Sequence, residues 1–253
     1  GSEVRRIRTG DRVVATPLGG AFAEECLVDE HLCMRLPEAL SFEQGAAFTI
    51  TYATSWHAFR QSARLQAGET VLVLGAAGGA GSSAVEIAKN MGANVIAAAS
   101  SDDKLAFARA AGADECINYR EASLRDALKE LTGGKGVDVV YDPVGGDAAQ
   151  AALRALAWQG RYLVIGFASG DIPAFPANIA LLKEASIIGV WWGTWSRRHP
   201  EDSMQNMAEL AALVDKGELA PTVTESYPLA SFSEAFTSIE ERRARGKVVL
   251  TLR

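Results

Sequence analysis

From Thr70 onward the chain alternates short apolar runs with stretches of helical spacing. Six runs read as strands, at 70–74, 94–99, 115–118, 137–141, 161–165 and 186–191, and nearly all their positions are apolar. Strands apolar on both faces must be covered on both faces, as in a parallel sheet. Between them, Val85, Ala88 and Met91 recur at three-residue steps within 82–91, and Leu105, Ala108 and Ala111 do so within 104–111, which predicts helices. Gly92, Gly112 and Gly160 stand where helix C-caps are expected. Strands joined by crossover helices form a parallel sheet wrapped on both sides. Six of them is the count of a complete doubly wound, or Rossmann, dinucleotide fold.

The flanks have a different character. Residues 1–50 read as short strands and turns (11–15, Gly19-Gly20, 23–28) without the strand and helix alternation. After Trp192 the pattern predicts a helix over 203–216, a turn at Pro221, a helix over 231–243 and a closing strand over 247–252. The expected organisation is a partial β-rich domain at 1–50, the α/β domain at 51–193, and a return to the first domain at 194–253. No internal repeat or low-complexity segment interrupts it.

Composition narrows the function classes. With 48% hydrophobic and 22% charged residues, the 253-residue chain has the make-up of a soluble globular protein. Its longest apolar stretches, 70–80 and 179–192, are broken by Gly, Lys or Glu before they could span a bilayer. The start lacks the apolar core of a signal peptide, so a cytoplasmic location is expected. A formal charge of −6 and only short basic clusters argue against a nucleic-acid partner. Cys26, Cys33 and Cys116 have neither disulfide-framework nor zinc-knuckle spacing. His31, His57 and His199 are scattered with no nucleophile motif, which leaves a hydrolase triad without support.

The chemistry concentrates after the first strand of the sheet. Val71 to Leu74 lead into Gly75-Ala76-Ala77-Gly78-Gly79-Ala80-Gly81, and a helix follows at once. On the G-x-G-x-x-G template the three places are Ala76, Gly78 and Gly81, the first having become alanine. A side chain at Gly78 would keep the backbone away from a pyrophosphate, and Gly81 lets the helix pack closely on the sheet. The helix N-terminus then offers amides and a positive dipole end to the anion. Glycine-rich turns also serve plain tight packing; the flanking strand, helix and five further strands favour the nucleotide. Dinucleotide folds that use NAD place a carboxylate about 20 residues beyond the glycines, on the ribose hydroxyls. Here Ser100-Ser101 occupies that strand end, and Lys104 on the following turn can supply a countercharge to a 2′-phosphate, so NADPH is the expected cofactor. In the opposing reading Lys104 is a solvated helix residue and Asp102 or Asp103 serves the ribose.

At this point the chain resembles the quinone oxidoreductase branch of the medium-chain dehydrogenase/reductases. The resemblance rests on Gly10-Asp11-Arg12-Val13, Phe22-Ala23-Glu24, Leu36-Pro37, Thr54-Ser55-Trp56-His57-Ala58, the glycine turn, Tyr141-Asp142-Pro143-Val144-Gly145-Gly146, Leu181-Leu182-Lys183 and Gly246-Lys247-Val248-Val249. It implies that the flanks are the remnant of a GroES-like catalytic domain. It also implies that full-length relatives carry a further segment before this start, so the chain is N-terminally truncated. Thr54 is similar to the family threonine beside the nicotinamide, and Gly78, Gly79 and Ala80 to the pyrophosphate turn. Ser100, Lys104 and Tyr119 resemble the 2′-phosphate cluster, with Tyr119 equally readable as a buried aromatic. Val144, Gly166, Phe167 and Ala168 fall where the family lines the nicotinamide and ribose with backbone; Trp192, Gly193 and Lys247 fall near the cleft. No catalytic side chain is assigned.

Two departures point away from metal. Zinc-dependent relatives insert a four-cysteine lobe where this chain has only residues 14–21, and they place a ligating cysteine where this chain has Ile50, which cannot bind a metal. Without zinc to polarise a carbonyl, the implied reaction is hydride transfer from NADPH to an already electron-poor quinone or conjugated enone. The alternatives are an enoyl-thioester reductase and a non-catalytic NADPH-binding redox sensor. The resemblance also implies a homodimer, paired through the last strand near 186–191.

Overall fold

The structure, a computed structural model, describes residues 1–252. Its internal contacts divide the chain into two compact units: Gly1–Ala53 together with the chain from Met207 onward, and Thr54–Asn206. In the first, β1 (Val13–Ala15) pairs antiparallel with β2 (Cys33–Arg35), Val14 standing opposite Met34. The stretch 23–28 forms no strand, contrary to expectation: Leu27 is fully exposed and finds no partner to reward an extended pairing. Helix α1 (Phe42–His57) also corrects the reading of the first fifty residues as strands and turns alone. Its start is a capping box, in which Ser41 Oγ accepts from the Gln44 amide (3.2 Å) and Gln44 Oε1 accepts from the Ser41 amide (3.0 Å). The division between the units falls inside this helix, after Ala53.

The unit Thr54–Asn206 continues from α1 through a π-helical turn (Ala58–Ala63) into the alternating block. In order come β3 (Thr70–Leu74), α2 (Gly79–Asn90), β4 (Asn94–Ala99), α3 (Asp102–Ala110), β5 (Glu115–Asn118), α4 (Leu124–Leu131) and β6 (Val137–Asp142). Then follow α5 (Gly146–Arg154), β7 (Leu156–Val164), α6 (Ala177–Lys183), β8 (Ser186–Gly189) and α7 (Trp192–Arg198). Every neighbouring pair is parallel and the strand order is β5-β4-β3-β6-β7-β8. That is the six-stranded doubly wound sheet, its direction of winding reversing between β3 and β6. Val71, Leu72, Val73 and Leu74 are wholly buried, as the apolar run requires of a central strand.

Three local readings change. Gly160 caps no helix; it lies inside β7, beside a register shift against β6 where Gln159 takes a left-handed backbone. β8 ends at Gly189, so Trp191 stands beyond the strand and Trp192 opens α7, a helix the apolar pattern does not announce. A polar clamp also lies in the sheet: the Arg161 guanidinium on β7 donates to Glu69 Oε1 (2.9 Å) and Oε2 (2.6 Å) and to the carbonyls of Ala63 and Asp138.

The chain then forms α8 (Pro200–Asp215), with proline at its first position and the division between units falling after Asn206 within it, and goes on to β9 (Val223–Pro228), α9 (Phe232–Glu240) and β10 (Lys247–Thr251). β9 and β10 pair in parallel. β9 was not expected because its inward face carries Glu225, whose Oε2 accepts from Tyr227 Oη (2.6 Å) and Ser238 Oγ (2.7 Å). A satisfied carboxylate hides the alternation that would mark the strand.

Burial pushes the Glu69 carboxyl up, but the Arg161 hydrogen bonds, the Gln66 amide and the Arg161 charge outweigh it and hold the group below its ordinary 4.5. A depressed carboxylate contributes stability that is complete above its ordinary value and is lost as pH falls through the folded one. Glu69→Gln is therefore expected to cost about 1–2 kcal/mol at pH 7 in urea unfolding. The gap from wild type should narrow below pH 4.5; a gap independent of pH would show that the ion pair is not its source.

Candidate functional site

The site begins where β3 stops. Gly75 has φ +58°, a left-handed backbone that glycine adopts without penalty, and its carbonyl accepts from the Gly78 amide (2.9 Å). The Ala76 amide donates to Ala98 O on β4 (3.2 Å), so the turn is stitched to the neighbouring strand. A Cβ on Gly81 would stand 2.2 Å from Gly75 O and 2.7 Å from Ala76 Cα, so this glycine is required by the chain's own packing. Gly78 is different: its φ is −79°, and a Cβ there would meet only Gly75 O, at an ordinary 3.5 Å. Nothing in the chain demands glycine at 78. The open space above it, with no side chain capping α2, fits a pyrophosphate held by the amides of Gly79 and Ala80.

The facing turn, after β6, is built by Asp142. Its carboxylate is buried, with Oδ1 accepting from the amides of Val144 (2.7 Å) and Gly145 (2.9 Å) and Oδ2 from Tyr162 Oη (2.6 Å). Burial, then the Asp142 charge and hydrogen bond, push the Tyr162 hydroxyl above its ordinary range, so it stays a donor. The segment after β7 is laced to this turn: Gly166 N donates to Asp142 O, Ala168 N to Pro143 O and Ser169 N to Val144 O. A Cβ on Gly145 would come 3.2 Å from the Phe167 ring, and one on Gly75 would come 2.7 Å from Val144 Cγ2. Whereas Ala76, expected to contact the cofactor, is wholly buried with its amide bonded to β4, Gly78, Gly79, Ala80, Val144, Gly166, Phe167 and Ala168 thus lie together at the C-terminal ends of β3, β6 and β7. This is the switch point, where doubly wound sheets bind ligands.

The end of α1 is fastened beside it. Ser55 Oγ lies 3.0 Å from Ser83 Oγ on α2 and 2.9 Å from Tyr141 Oη on β6, all three residues fully buried. Ser83 Oγ in turn donates to Ala80 O (3.0 Å), which ties half-buried Thr54, one residue away, to the glycine turn. His57 is buried, its ring stacked on Trp195 (4.1 Å between centroids) and its Nδ1 3.2 Å from Gln61 Oε1. Burial lowers its affinity for a proton, the His199 charge adds to that, and the Gln61 hydrogen bond opposes it.

One strand further out, the ends of β4 and β5 bring Ser100 and Tyr119 to neighbouring positions, the Tyr119 amide donating to Ala99 O (3.2 Å). Lys104 is half-buried on the first turn of α3. Tyr119 also packs against the hydrophobic core, so it serves as a partly buried aromatic there. Trp192, at the start of α7, has its Nε1 buried with no acceptor among the described residues. Lys247 lies in the other unit, half-buried on β10, with its ammonium pushed down by burial. Sequence reasoning named Ser55, Tyr141 and Asp142 as motif letters without a role. The signal was there in outline, since hydroxyls and a carboxylate in otherwise apolar runs need buried partners.

Gly81→Ala is expected to lose about 2–3 kcal/mol of stability by overpacking. Gly78→Ala should lose less than about 1 kcal/mol yet weaken dinucleotide binding by on the order of tenfold or more. Thermal melts beside fluorescence titration separate the two. Equal stability losses would mean that both glycines serve packing.

Residues 79–212 match the protein family described as zinc-binding dehydrogenase. Quinone oxidoreductase-like protein 2 of Bos taurus is 38% identical over all of this chain, which spans 73% of that protein. The human quinone oxidoreductase is 35% identical over the whole chain and 76% of its own length. The crystal structure of Escherichia coli quinone oxidoreductase complexed with NADPH aligns with a TM-score of 0.91 at 33% identity, covering 99% of this chain and 78% of that one. The sheet order, the two switch-point turns and these relatives together establish that the chain is an oxidoreductase and belongs to the quinone oxidoreductase branch of the medium-chain dehydrogenase/reductase superfamily.

Proposed function

We propose that this protein binds NADPH across its switch point and passes a hydride to a quinone or conjugated enone without the help of zinc. The observation that carries the reading is the combination of an open Gly78 turn with serines, and no carboxylate, at 100 and 101 where β4 ends. In this reading the amides at Gly78, Gly79 and Ala80 hold the pyrophosphate. Ser100, Tyr119 and the Lys104 ammonium receive the 2′-phosphate, for which a carboxylate would be repulsive. Thr54 and the backbone of Val144, Gly166, Phe167 and Ala168 orient the nicotinamide, with Trp192 nearby in the same unit. The nicotinamide supplies the hydride when bound; the chain supplies position and exclusion of water. Ile50 supports zinc independence, since its side chain cannot ligate a metal. A flat acceptor that is already electron-poor needs no Lewis acid.

A homodimer is part of the proposal. β8 is an edge strand, and Ile187 on it and Leu181 and Leu182 on α6 are exposed apolar residues that a second copy would cover. No helix among the described residues is long and apolar enough to cross a membrane.

Titration with both dinucleotides should show tighter NADPH binding, and Lys104→Glu should lower NADPH affinity by on the order of 10- to 100-fold with little change for NADH. Equal binding of both by wild type would sink the cofactor assignment. Turnover with a benzoquinone should exceed that with a crotonyl thioester and survive exhaustive chelation; the reverse preference would favour an enoyl-thioester reductase, and no turnover with any acceptor a binding protein.

A further inference from the structure

We infer that Asn118 is a specificity-determining residue for the dinucleotide, acting by holding the Asp102 carboxylate away from the ribose; this rests on the cofactor reading above. Asp102 is the first residue of α3, directly beyond Ser100-Ser101, and so stands next to the place where NAD-binding folds station their ribose carboxylate. Left to itself, an aspartate here would accept from the ribose hydroxyls and repel a 2′-phosphate. It is not left to itself: Asn118 Nδ2 donates to Asp102 Oδ1 at 3.0 Å.

The orientation of that amide is settled by its other end. Asn118 Oδ1 accepts from the Arg120 amide (3.2 Å), so only Nδ2 can face Asp102, and a donor meets a carboxylate. The base of the side chain is equally fixed. Asn118 closes β5 in register with Ala99, the residue just before Ser100. The hydrogen bond therefore spans the ends of two paired strands and joins the helix that carries Lys104. It directs Asp102 toward β5, leaving Ser100, Lys104 and Tyr119 as the groups nearest the phosphate. Asp102 also favours the helix start through the dipole, so the chain keeps an acid at this position while disarming it as a ribose ligand.

The test is a double-mutant cycle on the whole protein, reading NADPH and NADH affinity by fluorescence titration for wild type, Asn118→Ala, Asp102→Asn and the double variant. Asn118→Ala is expected to lower the NADPH to NADH affinity ratio by about tenfold, chiefly by gaining NADH, because one carboxylate is released. Asp102→Asn alone should move the ratio less than about threefold, and the double variant should return to that value. If Asn118→Ala fails to fold, Asn118→Ser keeps an acceptor for the Arg120 amide while losing the reach to Asp102. A ratio unmoved by either Asn118 variant, or a shift that persists in the double variant, overturns the proposal. A wild type that prefers NADH would remove the NADPH reading; the latch would still stand or fall on whether the ratio moves with Asn118 and returns with Asp102.

Discussion

The close approach of α2 to the carbonyl of Gly75 is the constraint on which the site depends. A helix can begin within a few residues of a buried strand only if its first turn lies against the strand's last peptide, and the 2.2 Å from a notional Gly81 Cβ to Gly75 O leaves no room for a side chain. Gly78, three residues earlier, carries no such packing demand, since a Cβ there would meet Gly75 O at an ordinary 3.5 Å. Two glycines of a single motif thus differ in what the fold asks of them.

The second half of the site is held by buried polar groups rather than by apolar packing. Asp142 is enclosed yet accepts three hydrogen bonds, and Ser55, Ser83 and Tyr141 share their hydroxyls with one another and with Ala80 O. Hydrogen bonds to a charged acceptor contribute about 1.5–3 kcal/mol each, while a buried polar atom without a partner costs a similar amount. These groups therefore do more than stabilise: they penalise any arrangement in which α1, the glycine turn and the β6 turn lose their mutual register. A reaction that relies on placement more than on a catalytic side chain is well served by such rigid supports.

The switch-point turns and the ends of the outer strands are built differently. Backbone amides and carbonyls lace the first together. A strand further out, the ends of β4 and β5 and the start of α3 carry Ser100, Tyr119 and Lys104, all half-buried, beside the hydrogen-bonded Asp102 and Asn118 pair. Under the cofactor reading proposed above, selectivity lies with these side chains, which sit at strand ends and not within the sheet.

Much of this fold is legible in the sequence. The runs at 70–74, 94–99 and 115–118 match β3, β4 and β5 residue for residue; for β3 and β4 the reason is that central strands buried on both faces leave a nearly uninterrupted apolar signature. The glycine spacing located the turn for the same local reason: backbone conformation and close approach are written in the residues themselves. What the chain did not disclose locally was decided by partners distant in sequence. The Ser41 and Gln44 capping box marks α1, but threonines through its length mask the helical period. β9 is hidden by Glu225, which is acceptable in a strand only because Tyr227 and Ser238 arrive to satisfy it. The role of Asp142, and whether Asp102 faces a ribose or an asparagine, depends on which side chains the folded sheet brings within about 3 Å. Periodicity and turn chemistry are properties of neighbouring residues and survive in one dimension; the partner of a buried polar atom is a property of the closed fold and exists only in three.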